Sequence, residues 1–388
     1  MRNEIELKNL GGGNPAPIEE MQSIFRDSIS KILADSQFEK LTGLYDSARG
    51  HQPLLDNLAT FFQETYGWPV SESNLAITAG SQNTFFTLFN LFSGVCNDEV
   101  RREIVLPMTP EYIGYADVTF DSSSVRSYRP VIEQVTHNRF KYKVDIESLE
   151  LGESVGAVCV SRPTNPTGNV LTDEELAKLA ETTSKADVPL IVDNAYGVPF
   201  PGLCFVDATP IFSPNVINCW SLSKVGLPGL RTGIVLASEG VISALESMNA
   251  TQALSTGSLG AAILSDMITD KSILTYSSEI IRPYYKQRLT RALAMCDEFF
   301  SGTEYQIHVA EGAIFIWVWF PGLPITAQVL YERLKERSVL IIPGHFFFPG
   351  LSEEWQHRHE CIRISYAQDA EQLEPAIRAI SEEVKRAF

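Results

Sequence analysis

Four short apolar runs in this sequence end in residues equipped for chemistry. Leu75–Thr78 leads into Ala79-Gly80-Ser81-Gln82, and Val155–Val160 leads into Ser161 and the turn-rich Arg162-Pro-Thr-Asn165-Pro-Thr-Gly168. Leu190–Val192 leads into Asp193, and Val216–Trp220 into Ser221-Leu-Ser223-Lys224. A helix opening after Gly80 presents free backbone N–H groups and a positive dipole end, which can hold a phosphate; an ordinary Gly-Ser helix start reads the same way. Asp193 is costly to bury without a partner, so it either holds a cation or a ring N–H, or caps a loop. Lys224, at a strand mouth among hydroxyls, can have its pKa depressed and act as an amine nucleophile; elsewhere a lysine is usually solvated. The segment from Arg162 to Gly168 makes turns with or without a ligand. Neither Walker A spacing nor a strand followed by GxGxxG is present, so the two commonest nucleotide motifs are not supported.

These residues need a scaffold that brings strand ends together. From about residue 74, short apolar strands alternate with helical stretches, the pattern of a mostly parallel sheet covered by helices. The second and third runs lie about thirty residues apart, the spacing of a βαβ unit. The helix between them opens at a capping box, Thr172 with Glu175. The helix after Gly80 is expected to bury Phe85, Phe86, Leu88, Phe89 and Phe92. In an open parallel sheet, ligands gather at the carboxyl ends of strands. The last third reads differently: a helix over 277–300, the strand Ala313–Phe320, a helix over 328–337, strands over 339–342 and 361–366, and a final helix from residue 370. That texture predicts a separate α+β lobe, completed by the N-terminal segment, with a boundary near 280. Repeats and linker-like tracts are absent.

Charge narrows the function. Lys plus Arg number 31 against 48 Asp plus Glu, a net charge of -17, which repels phosphate backbones and anionic membrane surfaces. Nucleic acid is not an expected partner. Ala313–Phe320 is far shorter than a bilayer span, and Met1–Leu10 carries charges where a secretory signal is apolar, so a soluble intracellular protein is expected. The six cysteines (Cys96, Cys159, Cys204, Cys219, Cys296, Cys361) lie singly without a CxxC pair and read as buried free thiols. His357 and His359 would share a face in β geometry, but no further ligand cluster accompanies them and no metal is expected. His345 reads as a packed or solvated histidine.

The run Ser221-Leu-Ser223-Lys224-Val-Gly-Leu-Pro-Gly-Leu-Arg231-Thr-Gly233 carries the strongest signal. In order with Asn165-Pro-Thr-Gly168, Asp193-Asn-Ala-Tyr196 and Cys361-Ile-Arg363-Ile-Ser365, it resembles the fold type I aminotransferases of class I and II, which depend on pyridoxal 5'-phosphate (PLP). The resemblance covers nearly the whole chain. It implies a large PLP-binding domain over 38–280, with a mostly parallel seven-stranded sheet between helices, and a small α+β domain from 1–37 and 281–388. Lys224 would be the covalent anchor and the proton shuttle, and Asp193 would pair with the pyridine N–H. Asn165 and Tyr196 would donate to the cofactor's phenolic oxygen, and Tyr112 would stack on its ring. Ser81, Gln82, Ser221, Ser223 and Arg231 would hold the phosphate. Arg363 would bind the substrate α-carboxylate through its planar fork, with Asn165 and the backbone of Gly13 beside it.

Tyr45, followed by Gly50, matches the segment that reaches the neighbouring subunit's phosphate, which implies a homodimer. Longer stretches, Leu10-Gly-Gly-Gly-Asn-Pro15 and Pro110-Glu-Tyr-Ile-Gly-Tyr115 among them, are similar to those of family members that interconvert valine and pyruvate with 3-methyl-2-oxobutanoate and alanine, and this resemblance implies the same reaction here, in a cytoplasmic enzyme. A broad-specificity aminotransferase or a PLP-dependent C–S lyase on the same fold is the alternative. A PLP-sensing transcription regulator would need a DNA-binding domain, which neither the short N-terminus nor the charge supports.

Overall fold

The four apolar runs become four strands of one sheet in the computed structural model, which describes residues 7–95 and 98–388. The order across the sheet is Leu75–Thr78, Gly233–Leu236, Val216–Ser221, Leu190–Asp193, Val155–Ser161 and Arg101–Leu106, with Val125–Ser127 beyond. Only Gly233–Leu236 among these seven runs antiparallel to its neighbours. A two-residue strand, Gly94–Val95, makes an eighth by pairing with the start of Arg101–Leu106. The strands are β-branched and buried on both faces, as a helix-covered sheet requires.

Register decides what meets at the carboxyl edge. Ser161 lies opposite Asp193, Ser221 opposite Gly233, and Gly233 opposite Thr78. The turn after Thr78 is thereby brought beside the Ser221–Lys224 turn, although some 140 residues separate them in sequence. Helix Ser81–Phe92 covers one face through Phe85, Leu88 and Phe89, which pack on Ile104, Leu106, Cys159 and Ile191. Phe86 and Phe92, expected in that buried face, are half-buried instead, because they sit at the margin of the stripe; Phe86 meets exposed Phe120 edge-on. Gly156 is required where the helix ends, since a Cβ there would fall 1.6 Å from the Phe92 carbonyl oxygen. Helix Asp173–Lys185 opens at the expected capping box and seats Leu176 and Leu179 against Val158, Val160 and Val192 on the opposite face.

The C-terminal third forms a second sheet, ordered Ile342–Pro343, Cys361–Ser365, Phe315–Trp319, Gln306–His308, Arg139–Lys143 and Val131–Thr136. Its last two strands are a hairpin from within the segment assigned to the large domain, so the chain crosses between the bodies more often than expected. The N-terminal strand Lys8–Asn9 joins this lobe by pairing with Val339–Leu340. The expected strand over 339–342 splits around Ile341, because Ile342–Pro343 turns to pair with Cys361–Ser365. The long helix begins at Arg282, after a π-helical turn at Tyr276–Ile281, near the expected boundary. His357 and His359 stand on a helical turn, His357–Glu360, not on a strand, so they do not share a face. Cys159, Cys204, Cys219, Cys296 and Cys361 are buried free thiols, and Cys96 lies outside the described residues. Among the described residues no helix is long and apolar enough to cross a membrane.

Candidate functional site

The carboxyl ends of the strands, the N-terminal glycine segment and the small lobe enclose a cavity of about 360 Å³. Its walls include Gly13, Ser81, Gln82, Tyr112, Asn165, Asp193, Tyr196, Ser221, Ser223, Lys224, Arg231 and Arg363, twelve of the thirteen residues singled out from the sequence. Tyr45 is the exception: it stands 83% exposed after the helix Gln37–Gly43 and does not line the cavity of its own chain. Asn14, Phe85, Ile113, Ser161, Pro163 and Ala195 complete the wall.

At one end, Gly80 takes φ +89°, a conformation open to glycine, and the helix from Ser81 follows. The guanidinium of Arg231 fills the space that a side chain at Gly80 would need, with Nη2 2.3 Å from the position of such a Cβ. Arg231 donates to the Pro228 carbonyl at 3.1 Å and to Ser223 Oγ at 3.3 Å. The Ser223 backbone N–H donates to Ser221 Oγ at 3.2 Å. One cation, two hydroxyls and the unpaired N–H groups of a helix start therefore converge on one spot.

Lys224 lies between the ends, partly buried. Its Nζ donates to the Gly13 carbonyl at 2.5 Å and sits 5.2 Å from the centre of the Tyr196 ring. Burial, with the cations Arg363 and Arg231 nearby, brings its pKa down to about 8. A useful fraction of the amine is then neutral near physiological pH. Asp193 is held by two neutral donors, the Ala195 N–H to Oδ1 and the Tyr115 hydroxyl to Oδ2, each at 2.8 Å. Burial pushes its carboxyl up to about 6, against the pull of these donors and of Lys224. A cation placed against it would complete its pairing.

Arg363 closes the other end from the strand Cys361–Ser365. It is 5% exposed, with its guanidinium carbon 4.1 Å from the Phe315 ring centre and 5.0 Å from that of Phe347. Nη1 donates to Asn165 Oδ1 at 2.7 Å and Nη2 to the Gly11 carbonyl at 2.6 Å. The glycine segment thus meets Arg363 through Gly11, while Gly13 is taken by Lys224. The Nε of Arg363 is buried without a protein partner. Of the five N–H bonds of a guanidinium, two are used, which leaves a fork for a carboxylate.

A network behind Asp193 escaped the sequence reading. Ser161 lines the cavity, and its Oγ lies 3.2 Å from the Tyr115 hydroxyl and 2.6 Å from Glu111 Oε2. Glu111 Oε1 accepts the Ser161 N–H at 2.9 Å. Burial pushes the Glu111 carboxyl up to about 8 despite those two bonds. An acidic residue within the apolar stretch from Leu106 to Tyr115 was the available signal; its partner could not be read without strand register.

The polar parts of PLP include a phosphate dianion, a ring nitrogen and an aldehyde. The Gly80–Arg231 end suits the first, the under-paired carboxylate of Asp193 the second, and the depressed amine of Lys224 the third. The orphaned Nε of Arg363 is left for a substrate anion. The donor set fits this cofactor.

Comparison with known proteins agrees. The family described as aminotransferase class I and II matches residues 17–380. The valine–pyruvate aminotransferase of Escherichia coli K12 is 45% identical over 98% of this chain and 91% of its own. Among solved structures, a putative amino-acid aminotransferase from Psychrobacter arcticum superposes with a TM-score of 0.97 at 43% identity, over 100% of this chain and 93% of its own. The valine–pyruvate aminotransferase of Salmonella typhimurium gives a TM-score of 0.91 at 45% identity, over 97% and 95%. With the fold, the cavity and the sequence in accord, this chain belongs to the class I and II aminotransferases, enzymes that work through pyridoxal phosphate.

Proposed function

We propose that the protein transfers the amino group of valine to pyruvate, giving 3-methyl-2-oxobutanoate and alanine. The carrying observation is the charge inventory of the cavity. It has two guanidinium groups at opposite ends, Arg231 and Arg363, and among the described lining residues no third one that could hold a distal carboxylate. With one committed to phosphate and the other to the α-carboxylate, a monocarboxylic amino acid is favoured over aspartate or glutamate. Ile113 borders both this cavity and an adjoining apolar one of about 440 Å³ lined by Leu340, Ile342, Pro343 and Phe346, a wall suited to a short aliphatic side chain.

Bound PLP supplies an electron sink for the pair left when the substrate Cα loses its proton. The chain's residues do the rest. Lys224 would anchor the cofactor and, once displaced by substrate, would carry the proton between the substrate Cα and C4′ of the cofactor, on the far side of the substrate nitrogen; an amine near pKa 8 serves in both directions. Asp193 keeps the ring nitrogen protonated. Asn165 gives its carbonyl oxygen to Arg363, which leaves its amide N–H groups for the phenolic oxygen, with Tyr196 as second donor. Tyr112 packs on the ring, and Ser81, Gln82, Ser221, Ser223 and Arg231 hold the phosphate. Arg363, beside Gly13, orients the α-carboxylate so that the Cα–H faces Lys224.

Exposed Tyr45 suits a homodimer in which it reaches the partner's phosphate. The large domain spans 38–280 except for the hairpin Val131–Lys143, which joins the second sheet, and the small domain comprises 1–37 with 281–388, in a cytoplasmic enzyme. Purified protein with PLP, valine and pyruvate should yield alanine; turnover with only aspartate or glutamate as donor would refute the substrate assignment and leave the family intact.

A further inference from the structure

Behind the cofactor cavity, a second buried carboxyl stands where the reaction as derived gives it no work. Glu111 is 1% exposed and does not line the cavity. Three oxygen–oxygen contacts lead from it to Asp193: Glu111 Oε2 to Ser161 Oγ at 2.6 Å, Ser161 Oγ to the Tyr115 hydroxyl at 3.2 Å, and that hydroxyl to Asp193 Oδ2 at 2.8 Å. Each contact needs one hydrogen. If both carboxyls are anions, only the Ser161 and Tyr115 hydroxyls supply one, two hydrogens for three contacts, and a pair of lone pairs is left face to face in the interior. One further proton closes the count.

The location of that proton follows from the surroundings. Ser161 and Cys159 face Glu111 from the strand Val155–Ser161, Tyr112 and Tyr115 from its own segment, and Asp193 from the next strand; Asp193 is the one charged group among them. Asp193, by contrast, has the Ala195 N–H on its other oxygen and Lys224 nearby. Like charges so placed do not both ionise readily, and the group without a cation gives way.

We propose that Glu111 is held as the neutral acid and is the first donor of a one-way hydrogen-bond chain, Glu111 to Ser161 to Tyr115 to Asp193, which positions Asp193 and preserves its charge. Oε2–H donates to Ser161 Oγ, Ser161 O–H donates to Tyr115, and Tyr115 O–H donates to Asp193. The Ser161 N–H donates to the remaining Glu111 oxygen, so that carboxyl is matched on both sides. Burial of Glu111 pushes its ionisation up to about 8, so the arrangement holds through neutral pH. Above that, the Ser161 hydrogen turns back towards Glu111, Tyr115 loses its donor, and a second anion faces Asp193. Glu111 is a positioning residue. Its effect on the cofactor's ring nitrogen rests on the function proposed above; its protonation does not.

The test is infrared spectroscopy of the protein labelled with ¹³C-glutamate, with and without PLP. A carboxylic-acid C=O band that shifts with the label, is missing in Glu111→Gln, and bleaches at about pH 8 is expected. Absence of such a band at pH 6.5, or its persistence in the variant, overturns the proposal. Failure of PLP to bind would remove the function proposal and leave the band, so the two failures are distinguishable. In the loaded enzyme, Glu111→Gln preserves the direction of the chain, because its amide donates to Ser161 and its carbonyl accepts from the Ser161 N–H. It should leave the acid-side pH midpoint of the cofactor absorbance in place, whereas Ser161→Ala should move it by about one pH unit. An equal shift in both variants overturns the proposal. If Glu111→Gln does not fold, the labelled band of the wild-type protein decides alone.

Discussion

Arg363→Lys removes geometry while keeping charge. The arginine is fixed on three sides, by Asn165 at 2.7 Å, by the Gly11 carbonyl at 2.6 Å, and by the Phe315 ring at 4.1 Å. Burial lowers its pKa to about 10, so it remains a cation at neutral pH. A lysine ammonium cannot stack flat on Phe315, and it cannot present two parallel N–H groups to a carboxylate while it also serves Asn165 and Gly11. The variant therefore loses one charge-assisted bond to the α-carboxylate, about 1.5–3 kcal/mol. At about 1.4 kcal/mol per factor of ten, that is a loss of roughly 10- to 150-fold in kcat/KM for the amino acid. The assay is steady-state kinetics with valine varied, alongside a PLP titration read by absorbance. PLP affinity should be unchanged, because Arg363 lies at the end of the cavity away from Arg231. A kcat/KM within about twofold of wild type, or a loss confined to PLP affinity, would refute the reasoning.

Three further outcomes are expected. Gly80→Ala forces a side chain into φ +89° and onto Arg231, so affinity for PLP should drop by about tenfold or more in equilibrium dialysis while a circular dichroism spectrum stays native; unchanged affinity would move the phosphate elsewhere. Uptake of PLP by the cofactor-free protein needs neutral Lys224, so its rate should rise roughly tenfold per pH unit from pH 6 and level off at about 8, whereas a flat profile would show that this amine is not the nucleophile. His308 and His357 are buried, and burial brings both down to about 3 from an ordinary 6.5. Between those values the unfolded chain binds more protons than the folded one, so stability falls as pH drops from about 6.5 towards 3 and is unaffected by these groups above that range. A melting temperature followed from pH 7 to 4 should show this slope, and His308→Gln should flatten it.

The strand mouths were legible because apolar runs that stop abruptly at Asp193, Ser161 or Ser221 leave a period-two or continuous signal followed by a polar break. The ordered motifs around Asn165, Asp193, Lys224 and Arg363 then carried the family. What stayed hidden depended on register and on long-range contact. Arg363 meets Asn165 across 198 residues, and Lys224 meets Gly13 across 211. The Glu111 network exists because Ser161 is paired opposite Asp193, a fact of strand pairing that no local pattern records. The hairpin Val131–Lys143 was also missed: Val131–Thr136 is an exposed edge strand with little apolar alternation, and Gln306–His308, which pairs with the other arm Arg139–Lys143, lies far along the chain.

The central claim is a covalent bond between one amine and one aldehyde. Borohydride reduction of the PLP-loaded protein, followed by digestion and mass spectrometry, tests it directly. The account predicts a single peptide, the one containing Lys224, heavier by the reduced cofactor, and no such peptide from Lys224→Ala. Modification of a different lysine, or of the variant to the same extent, would contradict it.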